Sequence, residues 1–247
     1  MLKDERQAAV LAMLEQEGYL SVGFLTEKLH YSPATLRRDI RALVRAGYAQ
    51  KAYGGVALAA EGKPISLREH EYSAEKAALA ARACALVNDG DTVFIAASSS
   101  TAALFRPLLK KKDLCVVTTD LSLALDFERA GVRVFAIGGL VSGGATGGPL
   151  AIEAAARLSY DVAFFSVTGF SEDGEMSVRA EAFAALLAAV LPRAEKRVCL
   201  LIDEKRGKRA LFSAGDASLA THVIGYAPFP ASLVVRYPET VFLSAKE

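Results

Sequence analysis

The chain has 247 residues, of which 52% are hydrophobic, and its net charge at pH 7 is +1. This composition can build the core of one large domain or two modest ones, and it excludes a disordered chain. No apolar run reaches the roughly eighteen residues of a membrane span, and charges in the first turns argue against a signal peptide. We therefore expect a cytoplasmic protein without a membrane partner.

The cysteines argue against a metal centre. Cys84, Cys115 and Cys199 lie far apart in apolar stretches, without the short pairwise spacing of a disulfide framework or a zinc site. We interpret them as small buried residues in a reducing cytosol. Neither a metal site nor a cofactor is predicted.

Two helices are predicted at the start of the chain. Residues 3–17 have helical periodicity, and the helix ends at Gly18. Ser21 can cap a second, short helix, after which His30 and Tyr31 make a tight turn.

A third helix has the clearest start signal in the sequence. Ser32 is a good N-cap residue, and Pro33 stands at the first helical position. The helix runs to about Ala46 and stops at Gly47. The following residues contain Gly54-Gly55, which predicts two short strands around a turn. Three helices and a hairpin make a winged helix-turn-helix.

Charge is concentrated in this region. Residues 32–51 contain five basic side chains and a single acidic one, Asp39. A basic patch on an otherwise neutral protein is the usual electrostatic footprint of a DNA reader. The basic residues are Arg37, Arg38, Arg41, Arg45 and Lys51.

We predict that the third helix enters the major groove of double-stranded operator DNA. Its first residues would lie near bases or backbone, while Arg37 or Arg38 reaches a guanine edge or a phosphate. The alternative is a surface helix with solvated arginines, but the preceding helix, the tight turn and the wing favour DNA binding. The predicted DNA-binding residues are Ser32, Pro33, Ala34, Thr35, Arg37, Arg38, Arg41, Lys51 and Tyr53.

The pattern changes after a predicted linker at residues 57–72, which separates a domain at residues 1–56 from one at residues 73–247. Apolar runs now alternate with helical stretches, which indicates a mostly parallel, doubly wound α/β domain with both faces covered. The predicted strands are Thr92–Ala97, Leu114–Thr118, Val132–Ile137, Asp161–Val167, Val198–Ile202 and Val223–Tyr226. The predicted helices are Ala74–Val87, Thr101–Lys110, Leu121–Arg129, Pro149–Leu158 and Glu181–Leu191.

Hydroxyl groups follow the first predicted strand. Residues 98–101 read Ser-Ser-Ser-Thr between a strand and a helix, where hydroxyls and free backbone N–H groups can hold a phosphate. The alternative is an ordinary serine-rich helix cap. Thr118 and Thr119 end another strand on the expected ligand side, and Asp120 can serve there or simply cap the next helix. Gly138-Gly139 can let a ligand approach the backbone, whereas the glycines at 143–148 fit a flexible connection equally well.

These motifs together resemble the DeoR family of bacterial sugar-metabolism regulators. The family hallmark is a Ser-x-x-Thr-[Ile/Leu]-Arg-Arg-Asp-[Ile/Leu] helix followed by a Gly-Gly wing. This chain has Ser32, Thr35, Leu36, Arg37, Arg38, Asp39, Ile40 and Gly54-Gly55 in that order and spacing. The resemblance continues at Glu75-Lys76, at residues 90–95 and 116–119, at Ile137-Gly138-Gly139, at Asp161 and at residues 203–207.

The resemblance implies a repressor rather than an enzyme, with a C-terminal domain similar to ribose-5-phosphate isomerase that is kept as a receptor for phosphorylated sugars or related metabolites. Lys205 would supply a cation for the phosphate. The predicted effector-binding residues are Ser98, Ser99, Ser100, Thr101, Thr118, Thr119, Gly138, Gly139, Asp161 and Lys205. Because one winged helix covers too little DNA for selective binding, we also predict at least a dimer, held mainly through the C-terminal domain.

The chain departs from the family at three places in this domain. Ala96 stands where an acidic residue is common, the spacing from Asp203 to Lys205 is one residue short, and the helix after Glu181 has lost its basic residues. These changes predict an altered or different ligand. Two other readings stay open: a sugar-phosphate isomerase with a DNA-binding appendage, and a DNA-binding protein with an inert second domain. Against the isomerase, the Asp-Gly-Ala-Asp run of those enzymes is missing after Asp161.

Overall fold

The computed structural model describes residues 3–17, 19–45, 48–58 and 72–246. The chain divides into two compact units, Met1–Leu67 and Arg68–Glu247. Gly18, Ala46, Gly47 and residues 59–71 of the predicted linker lie outside the described residues. Within the described ranges, no helix is both long and apolar enough to cross a membrane.

The N-terminal unit is a winged helix-turn-helix, as predicted. Its helices are α1 (Lys3–Glu17), α2 (Val22–Leu29) and α3 (Pro33–Arg45). Its strands are β1 (Tyr19–Ser21), β2 (Ala49–Ala52) and β3 (Gly55–Leu58), in the antiparallel order β1-β3-β2. The short β1 strand was not predicted, because three residues are too few to show a period. β3 continues to Leu58, two residues into the predicted linker.

Local capping sets the two turns of this unit. Ser21 Oγ accepts a hydrogen bond from the Phe24 N–H (3.1 Å) at the start of α2. His30 ends α2 in the left-handed conformation, with φ of 56°, and its N–H donates to the Thr26 carbonyl. The helix cap at Ser21 and the turn at His30 therefore form as predicted. The unit encloses a core that includes Leu14, Leu25 and Leu36.

The C-terminal unit is built on a seven-stranded parallel sheet in the order β15-β14-β12-β9-β4-β5-β6. Its strands are β4 (Thr92–Ile95), β5 (Cys115–Thr118), β6 (Arg133–Ala136), β9 (Tyr160–Phe165), β12 (Ala194–Leu201), β14 (His222–Gly225) and β15 (Val241–Ser244). The remaining strands are β7 (Leu140–Ser142) with β8 (Ala145–Gly147), and β10 (Gly169–Phe170) with β11 (Glu175–Val178) and β13 (Phe212–Asp216).

Helices cover both faces of this sheet, which confirms the doubly wound prediction. They are α4 (Ser73–Cys84), α5 (Ser99–Ala102), α6 (Phe105–Leu108), α7 (Leu121–Arg129), α8 (Pro149–Ala156), α9 (Glu181–Val190) and α10 (Ala231–Arg236). One core lies under α4, α6 and α7, and the other lies under α8 and α9. Burial on both faces explains why the central strands read as continuous apolar runs.

Some predicted elements differ in extent. The helix predicted at Thr101–Lys110 is divided into α5 and α6, because Pro107 has no N–H to donate to the carbonyl of Ala103 one turn earlier. β12 begins at Ala194, four residues before its apolar run, because its polar start still pairs with β9. The sequence did not predict the three-stranded sheet of β10, β11 and β13. It also did not predict the β7–β8 hairpin, β15 and α10.

Candidate nucleic-acid interface and ligand site

The exposed face of α3 carries most of the residues predicted to bind DNA. Ser32 lies at its N-terminus, where its Oγ accepts from the Thr35 N–H (3.2 Å) and lies 2.9 Å from the Thr35 hydroxyl. Arg37 and Arg38 are exposed on the next turn, while Leu36 is buried beneath them. The motif thus separates into a solvent-facing basic side and a core-facing apolar side.

A groove of about 440 Å³ separates α3 from the wing. Its rim carries Arg37, Arg41 and Lys51, and its floor includes Val22 and Ile40. Arg41 Nε donates to the Arg37 carbonyl (3.2 Å), which holds the side chain along the helix. Cations such as Arg41 and Lys51 beside apolar side chains suit one strand of a sugar–phosphate backbone.

The wing ends in a fully exposed aromatic ring. Tyr53 occupies the turn between β2 and β3, followed by Gly54 with φ of +71°. The Tyr19 hydroxyl donates to the Tyr53 carbonyl (2.9 Å) and so ties β1 to the tip of the wing. The unpredicted strand therefore fixes the position of a predicted DNA-binding residue.

Gly55 is required by a close backbone contact, and its replacement is expected to disrupt the wing. A Cβ atom at Gly55 would lie 2.2 Å from the Leu20 carbonyl oxygen and 2.9 Å from Ser21 Cα. We expect Gly55→Ala to cost about 1–3 kcal/mol, the usual cost of overpacking, and to weaken DNA binding. Thermal unfolding and operator titration of the full chain measure the two effects.

Gly23→Ala is the matched control for that substitution. A Cβ atom at Gly23 would have its nearest neighbour at 3.8 Å, on the exposed side of α2. Alanine favours a helix over glycine by about 1 kcal/mol, so this variant should be as stable as the wild type or more stable. Equal stability of the two variants would contradict the contact at Gly55.

Asp39, the acid of the Arg-Arg-Asp run, points into the protein and not toward DNA. It is only 2% exposed, and Arg6 Nε lies 2.5 Å from its Oδ2, while Gln7 Nε2 donates to Oδ1 (3.3 Å). The carboxylate raises the pKa of the Arg6 guanidinium, which also lies 4.7 Å above the Tyr31 ring. Asp39 therefore anchors α3 to α1. Sequence reasoning missed Arg6, although an acid flanked by Leu36 and Ile40 on the apolar face was a signal for a buried partner.

In the C-terminal unit, side chains from three strand ends meet at the carboxyl edge of the sheet. The hydroxyl run follows β4, Ser166 follows β9, and Lys205 follows β12. β9 lies between β4 and β12, so these three loops are neighbours. This is the edge at which open parallel sheets hold ligands.

The hydroxyl run divides into two pairs with different roles. Ser98 Oγ accepts from the Thr101 N–H (3.2 Å), and Thr101 Oγ1 donates to the Ala96 carbonyl (2.6 Å), so both serve as a helix cap. Ser99 and Ser100 are also buried, and Ser100 Oγ lies 3.5 Å from Lys205 Nζ. The helix-cap alternative thus accounts for two of the four residues.

Lys205 is held by a serine that sequence reasoning missed. Its Nζ donates to Ser166 Oγ (2.7 Å), and the Ser166 hydroxyl donates in turn to the Leu200 carbonyl (2.6 Å). Ser166 is buried directly after the apolar run of β9, and a hydroxyl at that position was the available signal. The structure therefore brings Lys205 and Ser100 together through a third, unpredicted residue.

Ion pairs and hydrogen bonds anchor the loop that carries Lys205. The Asp203 N–H donates to Glu75 Oε2 (3.1 Å), and Asp203 Oδ1 accepts from the Ala227 N–H (3.1 Å). Arg206 lies 4.1 Å above the Phe229 ring, and burial lowers the pKa of its guanidinium. Next to Glu75, Lys76 is 3% exposed in the first turn of α4. The start of α4 thus lies beside the candidate ligand edge.

The residues that follow β5 mainly hold the backbone together. Thr118 Oγ1 donates to the Ile95 carbonyl (2.7 Å). Asp120 caps α7 by accepting from the N–H groups of Ser122 and Leu123 (3.0 Å each), and burial raises the pKa of its carboxyl group. Thr119 Oγ1 accepts a long bond of 3.4 Å from the Ala97 N–H. Of the alternatives for Asp120, the structure shows the helix cap.

The two glycines after β6 differ in their surroundings. A Cβ atom at Gly138 would meet nothing within 4 Å, so its backbone is open to approach. At Gly139, where φ is +148°, a Cβ atom would lie 2.5 Å from the Gly147 carbonyl oxygen. Gly139 is therefore explained by packing of the β7–β8 hairpin, whereas Gly138 leaves room for a ligand.

Asp161 is a correction to the predicted effector-binding set. It is the second residue of β9, at the amino edge of the sheet, where its carboxylate accepts from the Thr92 N–H (2.6 Å). It lines a cavity of about 580 Å³ there with Arg193 and Glu195, at the edge opposite the hydroxyl run. Parallel strands begin at one edge and end at the other, so a residue at a strand start cannot join a site built from strand ends.

Family models match both units of the chain. A DeoR-like helix-turn-helix domain matches residues 6–61, and a DeoR C-terminal sensor domain matches residues 71–225, more than half of the chain. The chain belongs to the DeoR family. It is accordingly a DNA-binding transcriptional regulator with a C-terminal sensor domain.

Two named transcriptional regulators align with this DeoR-family chain over most of their length. The glycerol-3-phosphate regulon repressor of Escherichia coli is 24% identical, over 95% of each chain. The HTH-type transcriptional regulator GolR of Listeria innocua is 30% identical, over 84% of each chain. Among solved structures, ribose 5-phosphate isomerase A of Methanocaldococcus jannaschii aligns with 54% of each chain at 15% identity and a TM-score of 0.41.

Proposed function

We propose that this protein represses a carbohydrate-metabolism operon and that a phosphorylated sugar or a related metabolite controls its operator affinity. The observation that carries the proposal is the meeting of Lys205, Ser100 and Ser166 at the carboxyl edge of the sensor sheet. An ammonium group among buried hydroxyls suits a phosphate dianion. The name of the E. coli relative, a glycerol-3-phosphate regulon repressor, supports the same ligand class.

In the DNA-binding domain, we assign base reading to α3 and backbone contacts to the groove. The start of α3, with Ser32, Thr35 and Arg37, would approach the base edges of the major groove. Arg41 and Lys51 on the rim of the groove, with Tyr53 at the wing tip, would hold the sugar–phosphate backbone. These side chains are exposed, apart from the half-buried Thr35, so they are accessible to DNA.

In the sensor domain, we assign the phosphate to Lys205, Ser99 and Ser100, with Lys76 as a second nearby cation. Ala96 is fully buried, and its N–H donates to the Phe164 carbonyl (2.9 Å). It places a methyl group where the family commonly has a carboxylate, so a partner for a sugar hydroxyl is missing. We therefore propose that phosphate recognition is kept while selectivity for the sugar portion is relaxed.

We propose a receptor and not an isomerase for this domain. Isomerisation requires a general base beside a sugar carbon. Asp120 is occupied as the cap of α7, and Asp161 lies at the opposite edge of the sheet. A coupled isomerase assay with pentose phosphates tests this directly, and turnover above background would reverse the assignment.

Removal of the Lys205 ammonium is expected to weaken effector binding. A charge-assisted hydrogen bond contributes about 1.5–3 kcal/mol, so Lys205→Ala should bind the metabolite roughly 10- to 150-fold more weakly. The double substitution of Ser99→Ala and Ser100→Ala should also weaken binding of the metabolite. Isothermal titration with a panel of phosphorylated sugars and polyols, beside their unphosphorylated forms, is the measurement.

Lys208→Ala is the matched control, because Lys208 lies in the same loop but pairs with Glu204 at the surface. It should bind the metabolite like the wild type. Full binding by Lys205→Ala would move the site elsewhere. If no phosphorylated metabolite binds the wild type, the inert-domain alternative, which Ala96 favours, takes the place of this proposal. A ligand that changes operator affinity must also bind with affinity changed by the same factor when DNA is present.

A further inference from the structure

The residue after Lys205 is an arginine that is bonded to a different part of the sheet edge. Arg206 Nη1 donates to the Pro228 carbonyl (2.8 Å), and Nη2 donates to the Ala227 carbonyl. Both carbonyls lie in the loop after β14, which neighbours β12 on the side away from β9. Arg206 therefore joins the loop that carries Lys205 to the loop after β14.

An aromatic ring and a carboxylate hold the guanidinium group of Arg206 in place. Its Cζ lies 4.1 Å from the centre of the Phe229 ring, and its Nε lies 3.1 Å from Asp203 Oδ1. The Phe229 ring packs in turn against Phe242 and Phe170, with ring centres 5.0 and 6.3 Å away. A planar guanidinium that donates to two carbonyls and stacks on a fixed ring has little freedom to move.

Gly225, the last residue of β14, provides the space that this guanidinium occupies. A Cβ atom at Gly225 would collide with Arg206 Nη2 and would lie 2.6 Å from Phe229 Cζ. A side chain at this position would therefore displace Arg206 from the two carbonyls. The position of Arg206 thus explains why glycine ends β14.

Lys205 reaches to the other side of β12 from the same loop. Its Nζ donates to Ser166, which follows β9, whereas Arg206 is bonded to the loop after β14. The Gly207 N–H donates to the Phe170 carbonyl (2.8 Å), so the backbone after Arg206 is held as well. A lysine side chain has many rotamers, so its ammonium group keeps one position only if the backbone that carries it is fixed.

We infer that Arg206 is a positioning residue for Lys205. It fixes the loop after β12, so that the Lys205 ammonium group stays beside Ser100 and Ser166 before a phosphate arrives. Groups that are fixed before binding lose less conformational entropy on binding, and affinity rises accordingly. This role of Arg206 rests on the proposed phosphate site, and Arg206 acts there through Lys205 and not by contact with the ligand.

Replacement of Arg206 by alanine is expected to weaken phosphate binding by about 10-fold, the usual effect of losing a group that orients a ligand-binding side chain. The measurement is isothermal titration with inorganic phosphate and with the panel of phosphorylated sugars and polyols. Circular dichroism and thermal unfolding measure any loss of structure. Wild-type affinity in Arg206→Ala would overturn the inference.

Arg197→Ala is the matched control, because Arg197 of β12 is also half-buried and also donates to two backbone carbonyls. Those carbonyls belong to Leu219 (2.6 Å) and Ala194 (3.4 Å), toward the amino edge of the sheet. This variant should lose stability without losing affinity for the phosphorylated probes. An equal loss of affinity in the two variants would show a general effect of stability and would overturn the inference.

A double-mutant cycle tests whether Arg206 acts through Lys205. In the Lys205→Ala background, Arg206→Ala should weaken binding no further, because the side chain that it positions is gone. Additive losses would overturn the inference. Arg206→Lys keeps the charge and most of the stem on the Phe229 ring but not the planar fork, so it should fold and bind as weakly as Arg206→Ala. Wild-type binding by Arg206→Lys would show that charge alone matters and would also overturn it.

The reactivity of the Lys205 amine tests the inference without any effector. In Arg206→Ala, limited acetylation followed by mass spectrometry should modify Lys205 faster than in the wild type, because its ammonium group is no longer kept beside Ser166. Lys208, exposed in the same loop, is the internal standard, and Arg197→Ala should leave both rates unchanged. If no phosphorylated probe binds the wild type, the proposed function fails while this measurement still decides the role of Arg206. Equal Lys205 reactivity in Arg206→Ala and the wild type would overturn that role.

Discussion

Simultaneous replacement of Arg37 and Arg38 by alanine is expected to lower operator affinity by about 2–6 kcal/mol, or roughly 30-fold to 10⁴-fold, if both side chains reach base edges. Both arginines are exposed on α3 and carry no part of the core, so the stability of the protein should not change. The measurement is an operator titration by fluorescence anisotropy. Comparison with a scrambled duplex separates specific from general affinity.

A salt series shows which kind of contact each arginine makes. If the arginines meet only phosphates, affinity should fall equally for all sequences, and the slope against salt should flatten by about one unit per lost contact. If they meet bases, the loss should be larger for the operator than for the scrambled duplex. A matched variant with Arg129 and Arg133 changed to alanine, both exposed on the sensor domain, should retain the wild-type affinity. Wild-type binding by the α3 variant would remove α3 as the reading helix.

Asp39→Ala is expected to destabilise the DNA-binding domain, because it leaves the Arg6 guanidinium, which is 12% exposed, without its counter-charge and removes the hydrogen bonds that join α1 to α3. The loss of stability should be confined to the DNA-binding domain. Hydrogen exchange of the full chain should accelerate in peptides from α1 and α3, while the sensor sheet keeps its protection. Operator binding should fall as a consequence of unfolding and not through a lost DNA contact.

Two control variants distinguish the ion pair from other effects. Asp126→Ala removes an exposed pair with Arg129 at 3.9 Å, and such pairs contribute little, so stability should change by less than about 1 kcal/mol. Asp39→Asn keeps the shape of the side chain but not its charge, and it should be intermediate. If Asp39→Ala leaves exchange in α1 and α3 unchanged, the ion pair does not anchor the helices.

Local signals in the sequence were sufficient for most of the helices and for the parallel strands other than β15. Ser21 and Ser32 predicted two helix starts correctly, because a side-chain cap depends only on residues within one turn. The apolar runs predicted the parallel strands, because a strand buried on both faces has no polar alternation. The bounds of the helix at residues 121–129 were also predicted correctly.

The contacts that create the sites depended on the tertiary structure. Arg6 and Asp39 are 33 positions apart, and Lys205 and Ser100 are 105 apart, so no local pattern links them. The position of β9 between β4 and β12 places Ser166 at the ligand edge and Asp161 at the opposite edge. The sequence by itself determined most of the helices and six of the seven parallel strands, but not the short strands β1, β7, β8, β10, β11 and β13. Strand order follows from how two cores pack on both faces of one sheet, and only that packing decided which side chains meet.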